Sequence, residues 1–255
     1  MGDEANRPIK SLLTMDGLVE VLDETGGARV TELADELDRP QSVVHDYLST
    51  LRQLGYVVKE DQRYRLSLRF LELGAKERAR DPLYEIAKPE MERLADESSS
   101  ELVSLVVEED GRAVCLDAAW SSQSIKYNTF PGMHFHLHSS ATGKAMLAHL
   151  PEDRVDEILD QHGMPARTPN TITDRDELFE ELSTIRERGL SFEREEYKLG
   201  MMSYAAPISD DDGAVLGAIS VSGPAHRMRE EDVEAELTNK LLSAINIVEL
   251  NYGAQ

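Results

Sequence analysis

Three histidines recur at every second position: His134, His136 and His138. On an extended strand this spacing puts the three imidazoles on one face, where they could ligate a transition metal or hold a carboxylate. Just beyond, Ser139-Ser140-Ala141-Thr142-Gly143 opens a helical run. The first amides of a helix have no intrahelical acceptor and sit at its positive end, so this segment suits a carboxylate or a polarised oxygen. Ordinary N-capping by Ser139 or Ser140 accounts for the same residues. A third set, Gln41, Ser42, His45, Asp46, Ser49 and Arg52, lies along one polar face, and Gln41, Ser42 and His45 are able to bond base edges. There is no Cys-x-x-Cys pair and no His-Glu-x-x-His helix, so a metal site rests on the histidines alone and no cofactor is expected.

The elements around that polar face follow from periodicity. Leu12, Leu13, Met15, Leu18, Val19 and Leu22 recur at helical spacing and stop at Gly26-Gly27. A strand-like Arg29-Val30 leads to Thr31, the expected N-cap of a second helix through Leu37. After Asp38-Arg39-Pro40 a third helix is expected from Gln41 to Leu54, with Val43, Val44, Tyr47, Leu48, Leu51 and Leu54 as its apolar face. Residues 56–66 read as a two-stranded hairpin. Helix, helix-turn-helix and hairpin make a winged helix-turn-helix, whose second paired helix enters the major groove with its N-terminal residues near the bases. On the hairpin, Arg63 and Arg65 suit phosphates or the minor groove, as does Arg39 ahead of the helix. Between Arg39 and Arg69 six basic residues face three acidic ones, a local excess. A winged helix can also be a protein-binding scaffold, and failure to retain specific DNA would favour that reading.

This excess stands out because the chain is acidic: 49 Asp and Glu against 27 Lys and Arg, net −22 over 255 residues. Such a chain repels DNA phosphates in dilute salt. The acids are dispersed, with no block of five, which points to a salt-accumulating, halophilic cell where charges are screened within about 3 Å. There is no run of eighteen apolar residues and no apolar leader near Met1, so a cytoplasmic chain without a membrane partner is expected. The single cysteine, Cys115, lies in an apolar run and reads as a buried small hydrophobe.

Leu33-Ala34, Ser42-Val43-Val44-His45-Asp46-Tyr47-Leu48, Leu54-Gly55-Tyr56-Val57 and Tyr64-Arg65-Leu66 together resemble the DNA-binding domain of IclR-type regulators. Asp46 stands where that family often has Arg, which removes a phosphate contact. Leu137-His138-Ser139-Ser140-Ala141-Thr142-Gly143-Lys144-Ala145 and Ser220-Val221-Ser222-Gly223-Pro224 resemble the family's C-terminal segments, so the resemblance covers nearly the whole chain. It implies a GAF-like effector domain, dimers or tetramers, a palindromic operator, and an effector site near Ala141, Thr142, Glu193, Ser203, Ser220 and Ser222. Glu193 and Ser203 stand where the family usually has Asp and Cys. Taken alone, Glu193 and Glu196 both read as solvated surface charges.

The expected architecture is α+β. It has a winged helix-turn-helix over residues 1–69, a linker helix over 70–81, and an effector domain with a mainly antiparallel sheet over 82–255. In the last, strands are expected over residues 102–107, 113–116, 125–130 and 133–137, at Phe192, and over 204–208 and 215–221. Helices are expected from Pro82 through Leu94 and over 141–149, 152–161, 176–188 and 229–250. The leading functional reading is a DNA-binding regulator controlled by a small polar metabolite. The alternative is a metal-dependent enzyme or metal sensor built on His134, His136 and His138 with Glu193. The regulator reading does not involve catalysis, and no nucleophile–base pair stands at useful spacing.

Overall fold

Gly26, at φ 65°, caps the first helix, a left-handed conformation that costs glycine least. The computed structural model describes residues 7–97, 102–120 and 129–254. The chain divides into two compact units between Arg78 and Ala79, inside the segment expected to be the linker.

The N-terminal unit holds α1 (Lys10–Thr25), α2 (Val30–Glu36), α3 (Gln41–Gln53), the hairpin β1 (Val57–Glu60) and β2 (Arg63–Leu66), and α4 (Arg69–Arg78). Its core is built from Leu18, Leu22, Leu33, Val44, Leu48, Leu51, Val57 and Tyr64. Two local expectations are corrected. Arg29, not Thr31, caps α2, because the Glu32 carboxylate accepts the Arg29 N–H at 2.9 Å and starts the helix at Val30. The extended residue there is Ala28, which bridges to Tyr64. On α3, Val44, Leu48 and Leu51 carry the core, while Val43 and Leu54 at the edges of the apolar stripe are exposed.

The C-terminal unit opens with α5 (Pro82–Glu97), whose Leu83 N–H is accepted by Asp81 at 2.9 Å. A six-stranded antiparallel sheet follows, in the order β5-β4-β3-β8-β7-β6. Its strands are β3 (Leu102–Glu109), β4 (Arg112–Trp120), β5 (His134–His136), β6 (Ser191–Arg194), β7 (Met201–Ser209) and β8 (Val215–Pro224). β3 and β4 are joined through Asp110 and Gly111, both at positive φ as a tight Asp-Gly hairpin requires. On one face of the sheet lie α5, the short α9 (Ala225–Met228) and the long α10 (Glu231–Gly253). On the other lie α6 (Ala141–Leu147), α7 (Glu152–His162) and α8 (Arg175–Arg188).

The strand expected over 125–130 lies mostly outside the described residues, and Thr129 and Phe130 are not in a strand. The strand expected over 133–137 is shorter. It pairs with β4 only from His134 to His136, and the chain then enters a 3-10 turn over Leu137–Ser139, with the Ser139 hydroxyl donating to the His136 carbonyl.

Candidate functional site: a polar row under a short helix

The sheet register builds the C-terminal site. Leu102, Ser222, Ser203 and Glu193 stand directly opposite one another across β3, β8, β7 and β6. The next matching row brings Ser104 beside Ser220. Because side chains alternate along a strand, these rows present their polar groups on one face. That face is the one covered by α6. Gly143 lets the helix sit close against the 3-10 turn that precedes it: a Cβ there would lie 2.1 Å from the Leu137 carbonyl oxygen. Ser140 caps α6 by accepting the Gly143 N–H at 3.0 Å. Between helix and sheet is a cavity of about 280 Å³, and Ala141, Thr142, Glu193, Ser203, Ser220 and Ser222 all line it.

Glu193 is 1% exposed, not the solvated charge its composition suggested. One oxygen accepts the backbone N–H groups of Glu196 and Tyr197, the latter at 2.9 Å. The other lies 3.2 Å from the Ser203 hydroxyl, which is 2.9 Å from that of Ser222. Burial, with the carboxylate of Glu196 nearby, pushes Glu193 up to about 7. Glu196 was also expected at the surface. It is 7% exposed instead, and both its oxygens accept from the buried Lys144 ammonium at 2.7 and 2.8 Å.

Four lining residues gave no signal in the sequence: Ser104, Arg167, Tyr197 and Lys198. Ser104 follows from the alternation of β3, had that face been known. Arg167 and Tyr197 belong to separate loops joined by hydroxyls: Thr168 donates to the Glu195 carbonyl at 2.6 Å and Thr171 to that of Glu196 at 2.7 Å. The Arg167 guanidinium stacks on the Tyr197 ring, 4.1 Å from its centroid. Cys115 is buried as expected and also touches the cavity.

The three histidines do not form a ligand set. His134 is exposed, and its Nδ1 lies 2.9 Å from the Gly132 carbonyl. His136 lies 3.4 Å from the Arg112 guanidinium; burial and that cation push it down to about 4. His138 has left the strand, is buried, and is bonded to the Pro165 carbonyl at 3.2 Å. Among the described residues no three His, Cys, Asp or Glu side chains are placed to hold a metal. A cation would also be opposed by Arg112.

In the N-terminal unit, Arg39, Gln41, Ser42, His45, Ser49 and Arg52 are all exposed. Asp46 shares the surface, 3.9 Å from His45. The hairpin arginines are engaged within the unit. Arg63 pairs with Glu32 at 3.2 Å and donates to the Gly27 carbonyl; Arg65 pairs with Glu60.

A winged helix-turn-helix joined to a sheet domain with a polar cavity defines a DNA-binding transcription regulator with a C-terminal effector-binding domain. Residues 17–61 match the IclR helix-turn-helix domain and residues 78–248 the C-terminal domain of bacterial transcriptional regulator IclR. The chain belongs to the IclR family. It is 31% identical to the probable HTH-type transcriptional regulator ArcR of Halobacterium salinarum, over 96% of this chain and 94% of that one. It is also 31% identical to the transcriptional repressor IclR of Escherichia coli, over 98% and 92%. The crystal structure of Thermotoga maritima IclR superposes with a TM-score of 0.79 at 29% identity, covering 96% of this chain and 97% of that one. The relatives are transcription regulators, not enzymes.

Proposed function

We propose that the C-terminal cavity binds a small polar metabolite, a sugar, sugar acid or other small organic acid, and that its occupancy sets the affinity of paired N-terminal units for a palindromic operator. The observation that carries this is the hydroxyl and carboxylate row of Ser222, Ser203 and Glu193 facing α6 across a cavity. Pockets of this kind hold a ligand by a few convergent polar groups. A ligand shifts such an equilibrium only through its different affinity for the two states.

In this reading Gln41, Ser42 and His45 contact base edges, with Arg39, Ser49, Arg52, Arg63 and Arg65 along the phosphates. Pairing into dimers or tetramers supplies the two half-sites. The exposed Ile9, Leu12 and Leu13 before and on α1 and Leu71 and Leu73 on α4 offer apolar surface for it.

Footprinting on the intergenic DNA beside the chain's own gene, in multimolar KCl, tests the proposal. The expected result is one palindromic footprint that a metabolite extract of the cells weakens or strengthens. Gln41→Ala and His45→Ala should each cost about 1–3 kcal/mol at the bases they contact. A footprint indifferent to every extract fraction would remove the effector half of the reading.

A further inference from the structure

Among the described residues, two charged side chains line the cavity without a partner of opposite sign. Glu193, the buried one, takes hydrogen bonds among the described residues only from neutral groups: two backbone amides and the Ser203 hydroxyl. The nearby ammonium, Lys144, is held by both oxygens of Glu196, with Glu181 a further 3.9 Å contact. Arg167 is exposed at the rim. Its Nε donates to the Tyr197 carbonyl at 3.4 Å and its plane lies on the Tyr197 ring, and it forms no ion pair among the described residues. In a chain with 49 acids and 27 bases, a cavity-lining arginine that pairs with no carboxylate among the described residues is the less expected arrangement. Lys198 lines the cavity as well, so the lining is basic at Arg167 and Lys198 and acidic at Glu193.

A buried carboxylate without a cation is costly, and a ligand that supplies the cation removes that cost. The hydroxyl chain favours the same chemistry. With Glu193 ionised, Ser203 gives its single hydroxyl proton to that carboxylate instead of to Ser222. The oxygen lone pairs of Ser222 are then left to accept from a ligand donor. We propose that the effector is a zwitterion: its protonated nitrogen is held by Glu193 and Ser222, and its carboxylate is held by Arg167. The chemical class is a small amino acid. This rests on the effector reading above and narrows it.

The test uses the full chain in multimolar KCl and matched triplets of probes, with binding read by calorimetry. Each triplet comprises a natural α-amino acid, the hydroxy acid that replaces its nitrogen by oxygen, and the amine that lacks its carboxylate. The expected result is that at least one amino acid binds roughly tenfold or more tightly than either relative. Glu193→Gln should weaken that amino acid by roughly thirtyfold or more and leave its hydroxy acid nearly unchanged. Arg167→Ala, at an exposed position that does not endanger folding, should weaken the amino acid and leave the amine unchanged. A hydroxy acid that binds as well as its amino acid, or no binding by any amino acid, overturns the proposal. The effector reading is judged separately: if a metabolite extract still shifts the footprint while every amino acid fails, that reading stands and the zwitterion does not.

Discussion

At the scale of single residues the decisive group is Glu193. The carboxyl is held near 7 by burial, against 4.5 in an unfolded chain. The folded unit therefore binds this proton more tightly than the unfolded one. Its contribution to stability is most favourable below pH 4.5, falls as pH rises from 4.5 to about 7, and is level above that. The full loss is roughly 3 kcal/mol, at about 1.4 kcal/mol per pH unit. Gln at this position keeps an acceptor for the Glu196 and Tyr197 amides and offers a donor to Ser203. Glu193→Gln should thus flatten the fall in unfolding free energy between pH 5 and 8, measured by denaturant titration with the ligand absent. An unchanged slope in the variant would place the proton elsewhere. The sequence could not mark Glu193 as special by its own chemistry, since it is one of 49 acids. Resemblance pointed to it, and only the register opposite Ser203 and Ser222 explains its surroundings.

At the scale of elements, most of the secondary structure was legible because its signals are local. Gly26 and Gly55 stop helices, Asp110-Gly111 turns a hairpin, and Val44, Leu48 and Leu51 repeat at helical spacing. What failed was decided by contacts distant in sequence or by competing local bonds. The histidine strand ends early because Ser139 bonds back to His136 and α6 must approach Leu137. Arg167 was invisible because its neighbour Tyr197 lies thirty residues away. Arg63 and Arg65 were read as phosphate contacts, yet each already has a carboxylate, Glu32 or Glu60. Both pairs are solvent-exposed and therefore weak, so a phosphate can displace them, but the displaced carboxylate then stands close to the DNA. Glu60→Gln should free Arg65. The expected outcome is tighter binding to DNA of any sequence, with the slope of log K against log salt steeper by about 0.9, the value for one added phosphate contact. Specificity between operator and random DNA should change little. A slope equal to that of the parent would mean that Arg65 never reaches a phosphate.

At the scale of the whole molecule the governing quantity is the charge of −22 on 255 residues. Self-repulsion of this size opposes the compact state, and salt relieves it by shortening the screening length from about 10 Å at 0.1 M to about 3 Å at 1 M. Several surface pairs weaken over the same range, including Arg175 with Asp156 and Lys240 with Glu236, but pairs of this kind contribute about 1 kcal/mol at most. The buried Lys144–Glu196 pair is shielded from the solvent ions and changes least. Relief of repulsion therefore wins, and stability should rise steadily as KCl goes from dilute to multimolar. Salt also weakens phosphate contacts, so fold and DNA affinity pull in opposite directions. Of the proposed phosphate contacts, Arg63 and Arg65 are already paired with Glu32 and Glu60, so in multimolar KCl operator affinity should rest on neutral base contacts such as Gln41 and Ser42, and the salt slope should be shallower than the number of arginines suggests. Thermal unfolding and operator binding measured over one KCl series decide both points. A melting temperature that falls or stays level with KCl would show that the acidity is not an adaptation to salt. A steep loss of operator binding would show that phosphates, not bases, carry the affinity.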